Sequence, residues 1–107
     1  MRIVPDTNVV ISALLWRGKP FQLLEAVRHG PRFALYSSGV LLEELADVLT
    51  RSSAAKHPDD DAVLALAVSA SADLVVSGDN DLLVLEQFEG VPIVNAAQAL
   101  ALVAPAS

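Results

Sequence analysis

Short apolar runs alternate along this chain with stretches of helical periodicity, and that alternation restricts the fold more than any other feature. Arg2 to Pro5 reads as a strand that ends at Asp6, and Arg32 to Ser37 reads as a second. Leu74 to Ser77 is an apolar run bounded by Asp73 and Gly78, as expected of a buried parallel strand, and Val91 to Val94 is a fourth. Between them, Thr7 or Asn8 can cap a helix reaching to about Trp16, and a second helix covers Phe21 to His29 after Pro20. Further helices are expected over Val40 to Leu49, Asp59 to Ala72, Asn80 to Phe88 and Ala96 to Val103. Strands alternating with helices predict an α/β fold, with a parallel sheet of about four strands flanked by helices. In such sheets ligands bind beyond the carboxyl ends of the strands, so the residues after each strand matter most.

Composition sets the outer limits. A chain of 107 residues is expected to form one domain, residues 1–107, with a small core. Cysteine is absent, which excludes disulfides and thiolate metal sites and makes the cytoplasm the expected location. The opening Met1-Arg2-Ile3-Val4-Pro5-Asp6 lacks a secretory h-region, and the apolar stretch Ala62 to Ala72 is about half a bilayer span, so no membrane association is expected. Net charge is −6, the wrong sign for a protein that binds nucleic acid through a basic patch. An enzyme that recruits cations before it recruits phosphate remains compatible with that charge.

The acids have positions that fit such an enzyme. Asp6 follows the first strand directly, and Asp79 follows the third after Ser77-Gly78. If those strands are neighbours, roughly 4.8 Å apart, both carboxylates share one rim. On the helix over 40–49, Leu41, Leu45, Val48 and Leu49 set the apolar face; Glu43 lies opposite it and Glu44 on its border. Glu44 can therefore lean over the sheet. After Pro58, Val63, Leu64, Ala67 and Ala70 face the core; Asp61 points away, while Asp59 and Asp60 both lie on the core side. Taken singly, these acids have ordinary explanations as surface, turn or helix-start residues. Together they would repel: at about 4 Å each pair costs roughly 1 kcal/mol in water and about 4 at an effective dielectric of 20. A bound cation or raised pKa values would offset that cost. Oxygen ligands suit Mg²⁺ or Mn²⁺, and a carboxylate-held ion makes phosphodiester hydrolysis the natural chemistry.

The segments carrying these acids resemble the PIN-domain family, in particular the VapC-like toxins of toxin–antitoxin pairs. The matching pieces are Val4-Pro5-Asp6-Thr7-Asn8-Val9 with Ser12-Ala13-Leu14-Leu15, then Leu42-Glu43-Glu44-Leu45, the run Pro58 to Ala67, the run Ala72 to Leu83, and Val91-Pro92-Ile93-Val94. The resemblance implies a three-layer Rossmann-like PIN fold and a Mg²⁺- or Mn²⁺-dependent ribonuclease acting on RNA. It also implies a homodimer and a cognate antitoxin. It assigns the catalytic, metal-holding acids to Asp6, Glu44, Asp60 and Asp79, and so separates Asp60 from Asp59. Asn8, Ser77 and Asp81 match supporting polar residues.

The chain departs from that pattern in length. Family members usually carry about thirty more residues between the second and third acids, where this chain has only the linker 51–58. His57 and Pro5 also differ from the usual residues. The linker must climb roughly 18 Å, the height of a twelve-residue helix, and eight extended residues reach at most about 27 Å. The shortening also leaves apolar surface for a partner subunit to cover. Three functions therefore compete: an endoribonuclease, a shortened non-catalytic module that dimerises or binds an antitoxin, and a phosphatase-like protein of another α/β family. The last usually wants a lysine at the site, and Lys19 and Lys56 both lie in breaks. Arg17, Lys19, Arg51 and Lys56 are the cations that would contact an RNA backbone. His29 and His57 are expected in solvent, without a ligand role.

Overall fold

Ile3, Val4, Leu74, Val75 and Val76 are all at most 2% exposed, so both faces of the two strands they form are covered. That burial is what a parallel sheet between two helical layers requires. The structure, a computed structural model, describes residues 1–16, 18–30, 32–50 and 60–103, with Val40, Glu44, Val48, Leu49, Thr50, Asp60 and Asp61 as backbone only. In chain order the elements are β1 (Arg2–Pro5), α1 (Thr7–Trp16), α2 (Lys19–His29), β2 (Ala34–Leu35), α3 (Gly39–Thr50), α4 (Asp60–Ser69), β3 (Leu74–Val76), α5 (Asn80–Leu83), β4 (Gln87–Phe88), β5 (Val91–Val94) and α6 (Ala96–Val103). The linker 51–58 and the expectations placed on it lie outside the described residues.

The sheet runs β2-β1-β3-β5-β4. The pairs β1–β2, β1–β3 and β3–β5 are parallel, and only β4 runs against its neighbour β5. The chain leaves β1 toward one side to form β2, then returns to the other side to form β3. The order therefore reverses between β1 and β3, and a crevice opens there at the carboxyl edge. Pro5 is tolerated in the central strand because successive residues aim their backbone groups to alternate sides. Ile3 accepts from Tyr36 on the β2 side, while Asp6 donates to Val76 on the β3 side. The missing Pro5 N–H thus faces the side where β2 has already ended at Leu35.

Two cores fill the layers. Ile3, Leu74 and Val76 point to one face, where Val9, Leu23, Val27, Ala99 and Val103 from α1, α2 and α6 cover them. Val4, Val75 and Ile93 point to the other and meet Leu41, Val63, Ala67 and Leu82 from α3, α4 and α5. Of the expected apolar faces, Leu41, Val63 and Ala67 are buried and Leu45, Leu64 and Ala70 half-buried, while Glu43 is exposed; the side chains of Val48 and Leu49 lie outside the described residues. Among the described residues, no helix is long and apolar enough to cross a membrane.

Several boundaries differ from the sequence expectation. The second strand shrinks to two residues, and α2 starts at Lys19 with Pro20 inside its first turn. The helix expected over Asn80 to Phe88 ends at Leu83. Glu86 takes a left-handed conformation (φ 62), and Gln87–Phe88 then turn into β4. Glu89 and Gly90, at φ 51 and φ 81, form the tight turn of a hairpin that pairs Phe88 with Val91. That hairpin raises the strand count from about four to five and makes Val91–Val94 the fifth. The last helix keeps its expected bounds. Asn95 and Gln98 cap it reciprocally, each side-chain oxygen accepting from the other's backbone N–H at 2.8 and 3.0 Å.

Leu23 is fully buried where α2 meets the sheet and α6. Leu23→Ala is expected to lower stability by about 2–5 kcal/mol through the cavity it leaves, measured as a shift in the urea unfolding midpoint at unchanged slope.

Candidate functional site

The register of β1 on β3 decides what stands at the crevice. Val4 pairs with Val75 and Pro5 with Val76, so two residues further on Asp6 comes level with Ser77, on the same face of the sheet. The ladder does continue that far, since Asp6 N–H donates to the Val76 carbonyl at 2.8 Å. Ser77 Oγ donates to Asp6 Oδ2 at 2.8 Å, and the same Oγ accepts from the Asp79 backbone N–H at 3.0 Å. One buried hydroxyl thus ties the carboxylate after β1 to the backbone of the acid after β3.

Asp6 also caps α1. Its carbonyl accepts from Val10 N–H, and its Oδ1 accepts from Asn8 N–H at 3.3 Å. The capping residue is therefore Asp6, and not Thr7 or Asn8 as expected. A carboxylate reaches the free N–H groups of the first turn as readily as a hydroxyl or amide does, and the chain turns one residue earlier. Asp79 plays the same part for α5: it stands before the helix in an extended conformation, and its Oδ1 accepts from Asp81 N–H at 2.9 Å.

Asp6 is fully buried. That burial pushes its pKa above the ordinary carboxylate range; the hydrogen bonds from Ser77 and Asn8 pull it back, and the charge of Asp79 raises it further. Each carboxylate keeps free lone pairs, since a carboxylate has about four acceptor sites. Oxygen donors of this kind fit a hard divalent ion such as Mg²⁺ or Mn²⁺. Of the four expected acids, Asp6 and Asp79 are the two whose side chains are described.

The other two acids are described through their backbone. The carbonyl of Ala70, just past the end of α4, receives Arg2 Nη1 at 3.3 Å, at the amino edge of β1. The helix packs against β1 and β3, and its start at Asp60 lies about 15 Å along its axis from that end. Glu44 lies midway along α3, between the half-buried Leu45 and the exposed Glu43. The carboxylates of Glu44 and Asp60, and the Asp59 and Asp61 side chains, lie outside the described residues. Among the described residues no group of three or more acids or histidines comes together.

Of the supporting residues, Ser77 bonds Asp6 through its side chain, whereas Asn8 and Asp81 contribute backbone N–H groups. Sequence reasoning missed the use of Asp6 and Asp79 as caps, although the D-x-N and D-x-D spacings carry that signal. His29 is exposed and pairs with Glu25 at 3.3 Å, and Lys19 is exposed at the start of α2. Arg17, Arg51, Lys56 and His57 lie outside the described residues.

Replacing Asp6 by Asn removes a buried charge and keeps the shape. The folded carboxyl holds its proton more tightly than the unfolded one, so its ionisation costs stability at any pH above its raised pKa and nothing below the ordinary value. Asp6→Asn is therefore expected to raise the melting temperature at neutral pH in metal-free buffer. The gain should fade as pH drops through the carboxylate range, which a series of thermal melts from pH 7 to about pH 3 would read.

The sequence model described as PIN domain matches residues 2–58, just over half of the chain. The match includes Asp6, Asn8 and Glu44, while Asp60, Ser77, Asp79 and Asp81 follow it. Comparison with curated proteins and with solved structures gave no match.

Proposed function

This chain belongs to the PIN-domain family, and on that premise we propose that it is a Mg²⁺- or Mn²⁺-dependent endoribonuclease, the toxin of a VapC-like toxin–antitoxin pair. The family is one of nucleases, typically metal-dependent, which supports the general activity. The single observation that carries the reading further is the Ser77 hydroxyl held between Asp6 and Asp79 at the crevice. A fold that keeps a fully buried aspartate above its ordinary pKa, with a second acid beside it, gains most when a cation is present.

In this reading Asp6, Glu44, Asp60 and Asp79 hold the ion or ions. Bound there, the ion supplies Lewis-acid stabilisation of the phosphoryl oxygens and lowers the pKa of water. Ser77 and the Asn8 N–H orient the Asp6 carboxylate, as outer partners of metal ligands do. The Asp81 N–H holds Asp79 in the same way. Lys19, exposed at the start of α2, is the described one of the cations that would contact RNA backbone in this reading. An ion at the rim also explains how a chain of net charge −6 approaches a polyanion.

The partners in this reading are a second copy of the chain and a small antitoxin. Apolar surface supports that part: Leu14, Leu15 and Trp16 at the end of α1 are 58%, 59% and 78% exposed. The same surface would serve a non-catalytic module that only dimerises or binds an antitoxin, and metal-dependent cleavage separates the two.

Purified protein with Mn²⁺ is expected to cut single-stranded RNA and to stop when the ion is chelated. Asp6→Asn and Asp79→Asn should each lower the rate by more than about a hundredfold, and Ser77→Ala by about 10–100-fold with weaker Mn²⁺ binding in calorimetry. Full cleavage by Asp6→Asn, or cleavage indifferent to chelation, would overturn the mechanism.

A further inference from the structure

A cavity of about 200 Å³ adjoins the crevice on the side of α1, α2 and α6. Its polar wall is Asn8, Ser12, Ser77 and Gly78, and its apolar wall is made by Val9, Pro20 and Ala96. Asn8 and Ser77 are the residues whose N–H and O–H groups hold Asp6, so the cavity shares a wall with the carboxylate site.

Two features are not accounted for by contacts among the described residues. The half-buried Ser12 hydroxyl and the exposed Asn8 carboxamide have no hydrogen-bond partner among the described residues. Each offers both a donor and an acceptor. Gly78 has no left-handed backbone that would demand glycine, and a Cβ added there would meet nothing within 4 Å. Glycine leaves the wall bare between Ser77 and Asp79, where a ligand would lie. The cavity volume is below the roughly 300 Å³ at which drug-sized pockets begin. It suits one ring of a nucleotide and not the whole of it.

We infer that this cavity takes the base of the nucleotide next to the scissile phosphate, with Ser12 and Asn8 as the residues that select it. The inference rests on the nuclease reading for its phosphate, but the ring site stands on the cavity alone. A base must leave its stack to enter, so the substrate is single-stranded RNA or a loop. Val9, Pro20 and Ala96 supply the apolar contact, and the two polar side chains read a hydrogen-bonding edge. A site that pairs with a ring's polar edge rejects a ring that leaves its groups unpaired, and this makes the selection sharp.

The test uses neutral probes, so that it does not depend on catalysis. The ¹⁵N-labelled chain is titrated with adenosine, guanosine, cytidine and uridine, and the amide shifts of Asn8, Ser12 and Gly78 are followed. One nucleoside is expected to bind more tightly than the others, with a Kd on the order of millimolar. Ser12→Leu should abolish those shifts while keeping its melting temperature and its Mn²⁺ affinity. Gly78→Ala should fold as the parent does, yet slow RNA cleavage by about tenfold, and Ser12→Ala should broaden the set of sites cut. Nucleoside binding in a chain that cuts no RNA would refute the nuclease reading and support the ring site. Cleavage at the parent's sites and rate by Ser12→Leu and Gly78→Ala, with no nucleoside shifts at these amides, would overturn the ring site and leave the nuclease reading intact.

Discussion

The hydrogen bond from Ser77 Oγ to Asp6 Oδ2 is the contact on which the rest of the site depends. It exists because β1 and β3 pair in parallel with Val4 opposite Val75, which brings residues 6 and 77 level and on one face. A slip of one residue would turn either side chain to the other layer. Burial of a carboxylate is costly unless hydrogen bonds answer it. Here a hydroxyl and a backbone N–H answer it in part, and the pKa of Asp6 stays raised.

The layers around the sheet serve that contact. The α1 and α2 helices follow β1 and cover one face, while α3, α4 and α5 cover the other. The α4 helix ends at the amino edge of β1, where the Ala70 carbonyl receives Arg2. The order of the strands reverses between β1 and β3, and it is there that such sheets open a crevice at their carboxyl edge. Acids and cavity therefore lie beside one another by topology, although they come from segments more than seventy residues apart.

Much of this was legible in the residues. The run Leu74 to Ser77, bounded by Asp73 and Gly78, reads as a buried strand, and the acids after it and after Arg2–Pro5 read as rim residues. The wheel on α3 separated Glu43 from Glu44 because the apolar positions repeat at helical spacing, and Glu43 is indeed exposed. The hairpin at Gln87 to Val91 was not legible. Its turn is Glu89-Gly90, without the Asn or Asp that usually announces two left-handed residues, and its first strand is only two residues long. Residues with fair helix propensity were drawn into β4 by pairing with β5, a tertiary preference that local propensity does not carry.

By itself, then, the order of residues determined which segments outside the β4 hairpin are strands and which are helices, and which acids stand at the ends of strands. Those are properties of local periodicity and of the residues that break it. Only the folded chain decided that Asp6 caps α1, that Ser77 joins two acids through one hydroxyl, and that a bare-walled cavity opens beside them. Such features depend on strand register and on which strands become neighbours, and no local spacing encodes either one.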